Sequence, residues 1–202
     1  MNNPAHSDSS LDFYQQNAQT FVERTLAVNM EHLYAEFVPL VPAGGKILDA
    51  GCGSGRDSHN FQQRGFQVTA FDASAEIAAL ASKLIGHPVQ VMGFLDVNFK
   101  EEFDAVWACA SLLHVAQADM DDAVGRLTSS LKVGGVIYAS FKHGSGDGVR
   151  NGRFFNDYDE PKLERLLAHH PTLKLIKVWR TTDARPDHPD EVWLNFVCRR
   201  HA

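Results

Sequence analysis

Lys46-Ile47-Leu48-Asp49-Ala50-Gly51-Cys52-Gly53-Ser54-Gly55-Arg56 decides the fold of this chain. The apolar run 46–50 reads as a short buried strand, and 57–63 suits a helix closed by Gly65. A strand that runs into glycines and then a helix places a ligand at the strand's carboxyl end, beside a helix N-terminus. Glycine tolerates positive φ there and lets backbone come close to the ligand. The pattern is not that of a dinucleotide loop, G-x-G-x-x-G. Its third glycine, Gly55, arrives one residue early, and Arg56 stands where Gly or Ala is needed. Asp49, two positions before the first glycine, would repel a diphosphate in a poorly screened pocket and suits a cationic group.

Working outward, 66–71 is a second strand ending at Asp72, where a carboxylate can accept from both hydroxyls of a ribose. Ser74 is an N-cap for a helix to Ile85. Strands are expected at 88–94, 103–108 and 135–141, with a helix over 119–131. Strand alternating with helix is the signature of βαβ units and a parallel sheet. Upstream, apolar residues recur at helical spacing from Leu11 to Val38, as one or two amphipathic helices stopped by Pro39 and Pro42. Residues 1–10 read as a disordered tail and 11–40 as a helical lid. Downstream, 143–157 reads as a Gly-rich loop and 159–169 as a helix. Strands at 173–180 and 192–199 form a hairpin with a long connection, which brings one antiparallel strand into the sheet. The whole chain, 1–202, reads as a single domain.

With 202 residues, 44% of them hydrophobic and 22% charged, the chain is an ordinary globular domain. Its net charge of -6 argues against nucleic acid as a partner. Cys52, Cys109 and Cys198 form no CxxC pair, and no His has zinc-finger spacing, so reduced thiols and no metal are expected. A polar N-terminus and the absence of any apolar run near ~20 residues point to the cytoplasm, with no membrane role. Monomer and homodimer both remain open.

The run 49–56, followed by Asp72, resembles the class I S-adenosylmethionine-dependent methyltransferases. Leu95-Asp96 after the third strand, FDAVWACASLLHV (103–115) and LKVGGVIYASFK (131–142) extend the likeness. It covers residues 40–142 well and the termini loosely. It is closest to small bacterial methyltransferases of the tellurite-resistance and ubiquinone-biosynthesis type, and it names no acceptor. The resemblance implies a Rossmann-like α/β fold: a mostly parallel seven-stranded sheet with one antiparallel strand and helices on both faces. It implies S-adenosylmethionine as cofactor, whose ammonium and sulfonium suit Asp49. Carried over, Asp49, Gly51, Cys52 and Gly53 hold the methionine end, Cys52 through its backbone. Asp72 binds the ribose, with Ala73 beside the adenine and Leu95 and Asp96 at its edge. The backbone at Ala108 and Cys109 closes the pocket near the amino group. The Asn/Asp-Pro-Pro-aromatic tetrad of amino methyltransferases is absent, for this region reads Cys109-Ala110-Ser111-Leu112-Leu113.

Methyl transfer needs alignment more than a fixed triad, because the cofactor carries the hard chemistry. His114 and His143, on loops at strand carboxyl ends, are candidate bases; packing or solvated roles compete for both. Arg56 is either a cofactor neighbour or a helix-start surface residue. Arg150, Arg153 and Arg185 would clamp an anionic substrate, or else pair with Asp147, Asp157, Asp183 or Asp187. Phe154, Phe155, Trp179 and Trp193 read as core. Small-molecule methyl transfer is the leading function. A non-catalytic S-adenosylmethionine-binding module and an NAD-dependent oxidoreductase are the alternatives.

Overall fold

The computed structural model describes residues 5–185, 188 and 190–202. Strands β1 (Lys46–Ala50), β2 (Gln67–Asp72), β3 (Gln90–Val91), β4 (Phe103–Ala108), β5 (Leu131–Lys142), β8 (Leu173–Thr182) and β9 (Val192–Arg200) form a seven-stranded sheet ordered β3-β2-β1-β4-β5-β9-β8. The β1–β2, β1–β4, β2–β3 and β4–β5 pairs are parallel, while β9 runs antiparallel to both neighbours. The expected sheet, with its single reversed strand, is the observed one. A separate hairpin joins β6 (Asp147–Arg150) to β7 (Arg153–Asn156).

The strand pleat sends alternate side chains to opposite faces. Leu48, Val106, Ala108, Ile137 and Ala139 enter one core with Ala123, Leu127, Leu163 and Leu166 of α5 (Met120–Ser130) and α6 (Glu160–Ala168). Their neighbours Ile47, Ala105, Trp107, Val136 and Tyr138 enter the other, with Leu33 and Phe37 of α2 (Glu31–Phe37) and Phe61 of α3 (Arg56–Gln63). Trp107 stacks on Tyr138 with centroids 4.0 Å apart. Residues buried on both faces explain why the central strands read as unbroken apolar runs. Ser74 caps α4 (Ala75–Ile85) as expected, its Oγ accepting from Ile77 N.

Three expectations are corrected. The tail placed at residues 1–10 is helical from Ala5, where α1 (Ala5–Leu26) begins; residues 1–4 lie outside the described residues. Ser10 anchors this helix, its Oγ accepting from Phe154 N at 2.9 Å, a tertiary contact with no local sequence signal. The third strand shrinks from 88–94 to two residues, because β3 is a sheet edge where Val91 is 59% exposed. The loop drawn over 143–157 holds the β6–β7 hairpin instead. Its turn residues, Asn151 and Gly152, have φ of 50° and 77°, the left-handed pair that a two-residue hairpin turn demands. Among the described residues no helix is long and apolar enough to cross a membrane.

Candidate active site

A cavity of about 740 Å³ opens at the carboxyl ends of β1, β2 and β4. Its floor is the glycine loop. Gly51, Cys52 and Gly53 line it, with Phe71, Asp72 and Ala73 after β2, the turn 93–96 after β3, and Cys109 and Ser111 after β4. Ser10, Leu11, Tyr14, Phe21 and Thr25 of α1 form the opposite wall.

The loop is drawn tight against the sheet. Gly51 has φ of +74°, and a Cβ there would lie 2.6 Å from Ser111 Cβ, so only glycine fits. Ser111 in turn donates its hydroxyl to Ala50 O at 2.6 Å. Gly51 N and Cys52 N both donate to Phe71 O, at 3.0 and 2.9 Å, and Gly55 N donates to Cys52 O at 3.0 Å. Gly53 N donates to Asp72 Oδ2 at 3.0 Å. The N–H groups of all three glycines and of Cys52 are thus spent inside the fold. A loop built to cradle phosphate leaves such N–H groups free to face the anion. This one has consumed them, which suits a ligand that presents cationic donors.

Asp72 ends β2 at the cleft wall. Burial pushes its carboxyl up, while the nearby backbone N–H groups of Ser74, Gly53 and Ala73 pull it down; the net shift is upward. Each of its oxygens takes one backbone N–H, from Gly53 and from Ser74, and each retains a lone pair. Beyond β3, Asp96 Oδ2 accepts from Gly93 N at 2.9 Å, capping its own turn, and Leu95 stands 41% exposed beside it.

Asp49 and Ala108 do not line the cavity. Asp49 is 2% exposed and accepts from Ser58 Oγ at 2.6 Å, beneath the loop. Burial, then the nearby Asp57, raises its carboxyl. The acid that reaches the cavity at this end is Asp57, which the sequence reading missed. It accepts from Tyr34 Oη at 2.6 Å, Trp107 Nε1 at 2.8 Å and Arg56 Nε at 2.6 Å. Burial alone would raise it, but the Arg56 charge and these bonds outweigh that and hold it ionised. Arg56, left undecided from sequence, is a cavity-lining residue locked to this acid. No spacing rule links Tyr34, Asp57 and Trp107; only the fold joins them.

Burial keeps the two cysteines at the cavity in the thiol form. Burial pushes the Cys109 thiol up to about 12 and Cys52 well above its ordinary value. His114 lines the cavity, with Nδ1 2.6 Å from Phe154 O and Nε2 2.9 Å from Tyr14 Oη. His143 does not line it; its Nε2 lies 3.5 Å from Glu160 Oε2. Of the three arginines expected to clamp a substrate, all line the cavity. Arg150 is paired with Asp157 and Arg185 with Asp183, two of the carboxylates named from the sequence. Arg153 has no carboxylate partner among the described residues. Asp147 makes none of these pairs, and Asp187 lies outside the described residues.

Residues 47–135 match the family described as Methyltransferase domain. Over those residues the chain is similar to the class I S-adenosylmethionine-dependent methyltransferases. It is 32% identical over 120 residues to a ubiquinone biosynthesis O-methyltransferase of Xanthomonas axonopodis, covering 56% of this chain and 48% of that protein. The chain spans about half the length of the curated relatives it matches. Its fold is that of the 1,6-didemethyltoxoflavin-N1-methyltransferase of Burkholderia thailandensis, solved with bound 1,6-didemethyltoxoflavin and S-adenosylhomocysteine. The TM-score is 0.75 at 22% identity, over 95% of this chain and 86% of that one. The [4+2]-cyclase SpnF shares the fold too, with TM-score 0.64 and 18% identity over 93% and 82% of the two chains.

Proposed function

We propose that this protein transfers the methyl group of S-adenosylmethionine to a small-molecule acceptor. One observation carries the reading: a glycine loop whose N–H donors are already consumed, ringed by Asp57 and Asp72, favours a cationic donor over a diphosphate. When bound, S-adenosylmethionine supplies an electrophilic methyl already activated by its sulfonium. Gly51, Cys52 and Gly53 would face its methionine end. Asp72 would take the ribose hydroxyls on its two remaining lone pairs, with Ala73, Leu95 and Asp96 around the adenine and Cys109 closing the far side. Asp49 and Ala108 would act from beneath, Asp49 by fixing Ser58 and the start of α3.

Helix α1 supplies one wall of the cavity, in keeping with a lid that excludes water from the transfer. Tyr14 is fixed by His114, so that pair would orient the acceptor rather than take its proton. Because the fold also carries a [4+2]-cyclase, transfer itself must be measured. The protein is incubated with methyl-tritiated S-adenosylmethionine and a low-mass metabolite fraction. Enzyme-dependent label in a new small molecule is the expected result. Tight binding of the donor with no label transferred to any acceptor would make the protein a binding module instead.

A further inference from the structure

We infer that the methyl acceptor carries a carboxylate or phosphate group that is held by Arg153, an inference that rests on the methyltransferase reading above. The other cations of the cavity wall are already committed. Lys142 Nζ lies 2.7 Å from Glu191, Arg185 Nη2 lies 2.7 Å from Asp183, and Arg56 and Arg150 are held by the aspartates described above. Arg153 stands apart. Among the described residues its one hydrogen bond is a long one, Nη1 to Tyr14 Oη at 3.5 Å, and its Nε is buried without a partner.

Aromatic rings hold it in place instead. The guanidinium lies over Phe13, Phe155 and Tyr14, at 4.8, 5.1 and 5.9 Å from the ring centroids. Rings attract a cation and restrict its motion, but they accept few of its N–H bonds. What remains is a positioned, half-buried fork of donors, the arrangement that matches two oxygens of one planar or tetrahedral oxyanion. The surrounding rings leave little water to compete for it.

The position is right for the far end of an acceptor. Tyr14 meets Phe21 edge-on at 5.0 Å, and the Phe21 ring comes within 3.3 Å of a Cβ built on Gly53. Arg153 is therefore separated from the glycine loop by two aromatic rings. An acceptor gripped at Arg153 by its anionic group would extend an apolar body along those rings and present its nucleophile toward the donor.

Calorimetry on the full chain saturated with S-adenosylhomocysteine tests this, with benzoate, phenyl phosphate and neutral benzamide as probes. At least one anion is expected to bind tenfold or more tighter than benzamide, and whichever does so identifies carboxylate or phosphate. Arg153→Ala is expected to erase that preference while S-adenosylhomocysteine affinity stays within twofold. Arg153→Met keeps an apolar stem on the rings and removes the charge, so it reads the same loss if the alanine variant unfolds. Equal binding of benzamide and both anions, binding of neither anion, or a preference that survives both substitutions would overturn the inference. Failure of the wild type to bind S-adenosylhomocysteine would instead overturn the methyltransferase reading.

Discussion

Tyr14 Oη lies 2.9 Å from His114 Nε2, tying the first helix to the loop after β4 across 100 positions of sequence. The other ring nitrogen, Nδ1, meets Phe154 O at 2.6 Å. A carbonyl only accepts, so Nδ1 carries the proton and Nε2 receives the one from Tyr14. A second proton on this ring would force the Tyr14 hydroxyl to turn from donor to acceptor and would bury a charge. Burial accordingly lowers His114 from 6.5 to about 4.

The unfolded chain takes up this proton near pH 6.5 and the folded chain only near 4, so between those values the unfolded state binds more protons. Stability from this group is full above about 6.5 and declines as pH falls toward 4. Urea denaturation at pH 7.5 and pH 5 should show a loss of about 2 kcal/mol in the wild type that His114→Gln does not share. Identical pH dependence in the two proteins would remove His114 from the account.

Asp72 should matter to binding more than to folding. Its carboxylate oxygens hold Gly53 N and Ser74 N and retain lone pairs toward the cavity. Hydrogen bonds to a charged group contribute about 1.5–3 kcal/mol each, so Asp72→Ala should weaken S-adenosylhomocysteine binding on the order of 100-fold or more. Calorimetry on a variant shown folded by circular dichroism checks this, and unchanged affinity would refute the ribose assignment.

The two glycines that bracket Cys52 should behave differently. At Gly51 an added methyl meets Ser111 Cβ at 2.6 Å, while at Gly53 it meets the edge of the Phe21 ring at 3.3 Å. Left-handed backbone penalises both, by roughly 1 kcal/mol or more. Only Gly51→Ala must also push two strand-end loops apart, so its thermal midpoint should fall well below that of Gly53→Ala. Equal losses would contradict the packing described.

Asp57 accepts from three donors: Tyr34, Trp107 and Arg56. Removing it strands a half-buried guanidinium, and Asp57→Ala should cost about 3–5 kcal/mol. Trp107→Phe removes one donor and keeps most of the stack on Tyr138, for a loss nearer 1 kcal/mol. Chemical denaturation monitored by circular dichroism separates the two.

How much of this was legible beforehand depended on whether the cause was local. The strand-loop-helix of 46–63 was readable because apolar runs, glycines and a helical stretch follow one another in the chain, and Ser74 because capping is a three-residue affair. The β6–β7 hairpin was also local. Asn151-Gly152 between two strand-like segments is a strong turn signal, and the abundance of glycine around it masked the pairing. The start of α1 and the Tyr34–Asp57–Trp107 cluster depend on contacts between distant segments, which no periodicity reports. The charge of Asp49 marks it in the sequence, yet the fold turns it to Ser58, and Asp57, the second residue of α3, takes the cavity wall.

The most direct test of the central claim is calorimetric titration of the purified chain with S-adenosylmethionine and, in parallel, with NAD. A loop whose N–H donors are spent and whose neighbours are aspartates should bind the methyl donor one to one and leave NAD unbound at the same concentration. Heat of binding from NAD with none from S-adenosylmethionine would contradict it.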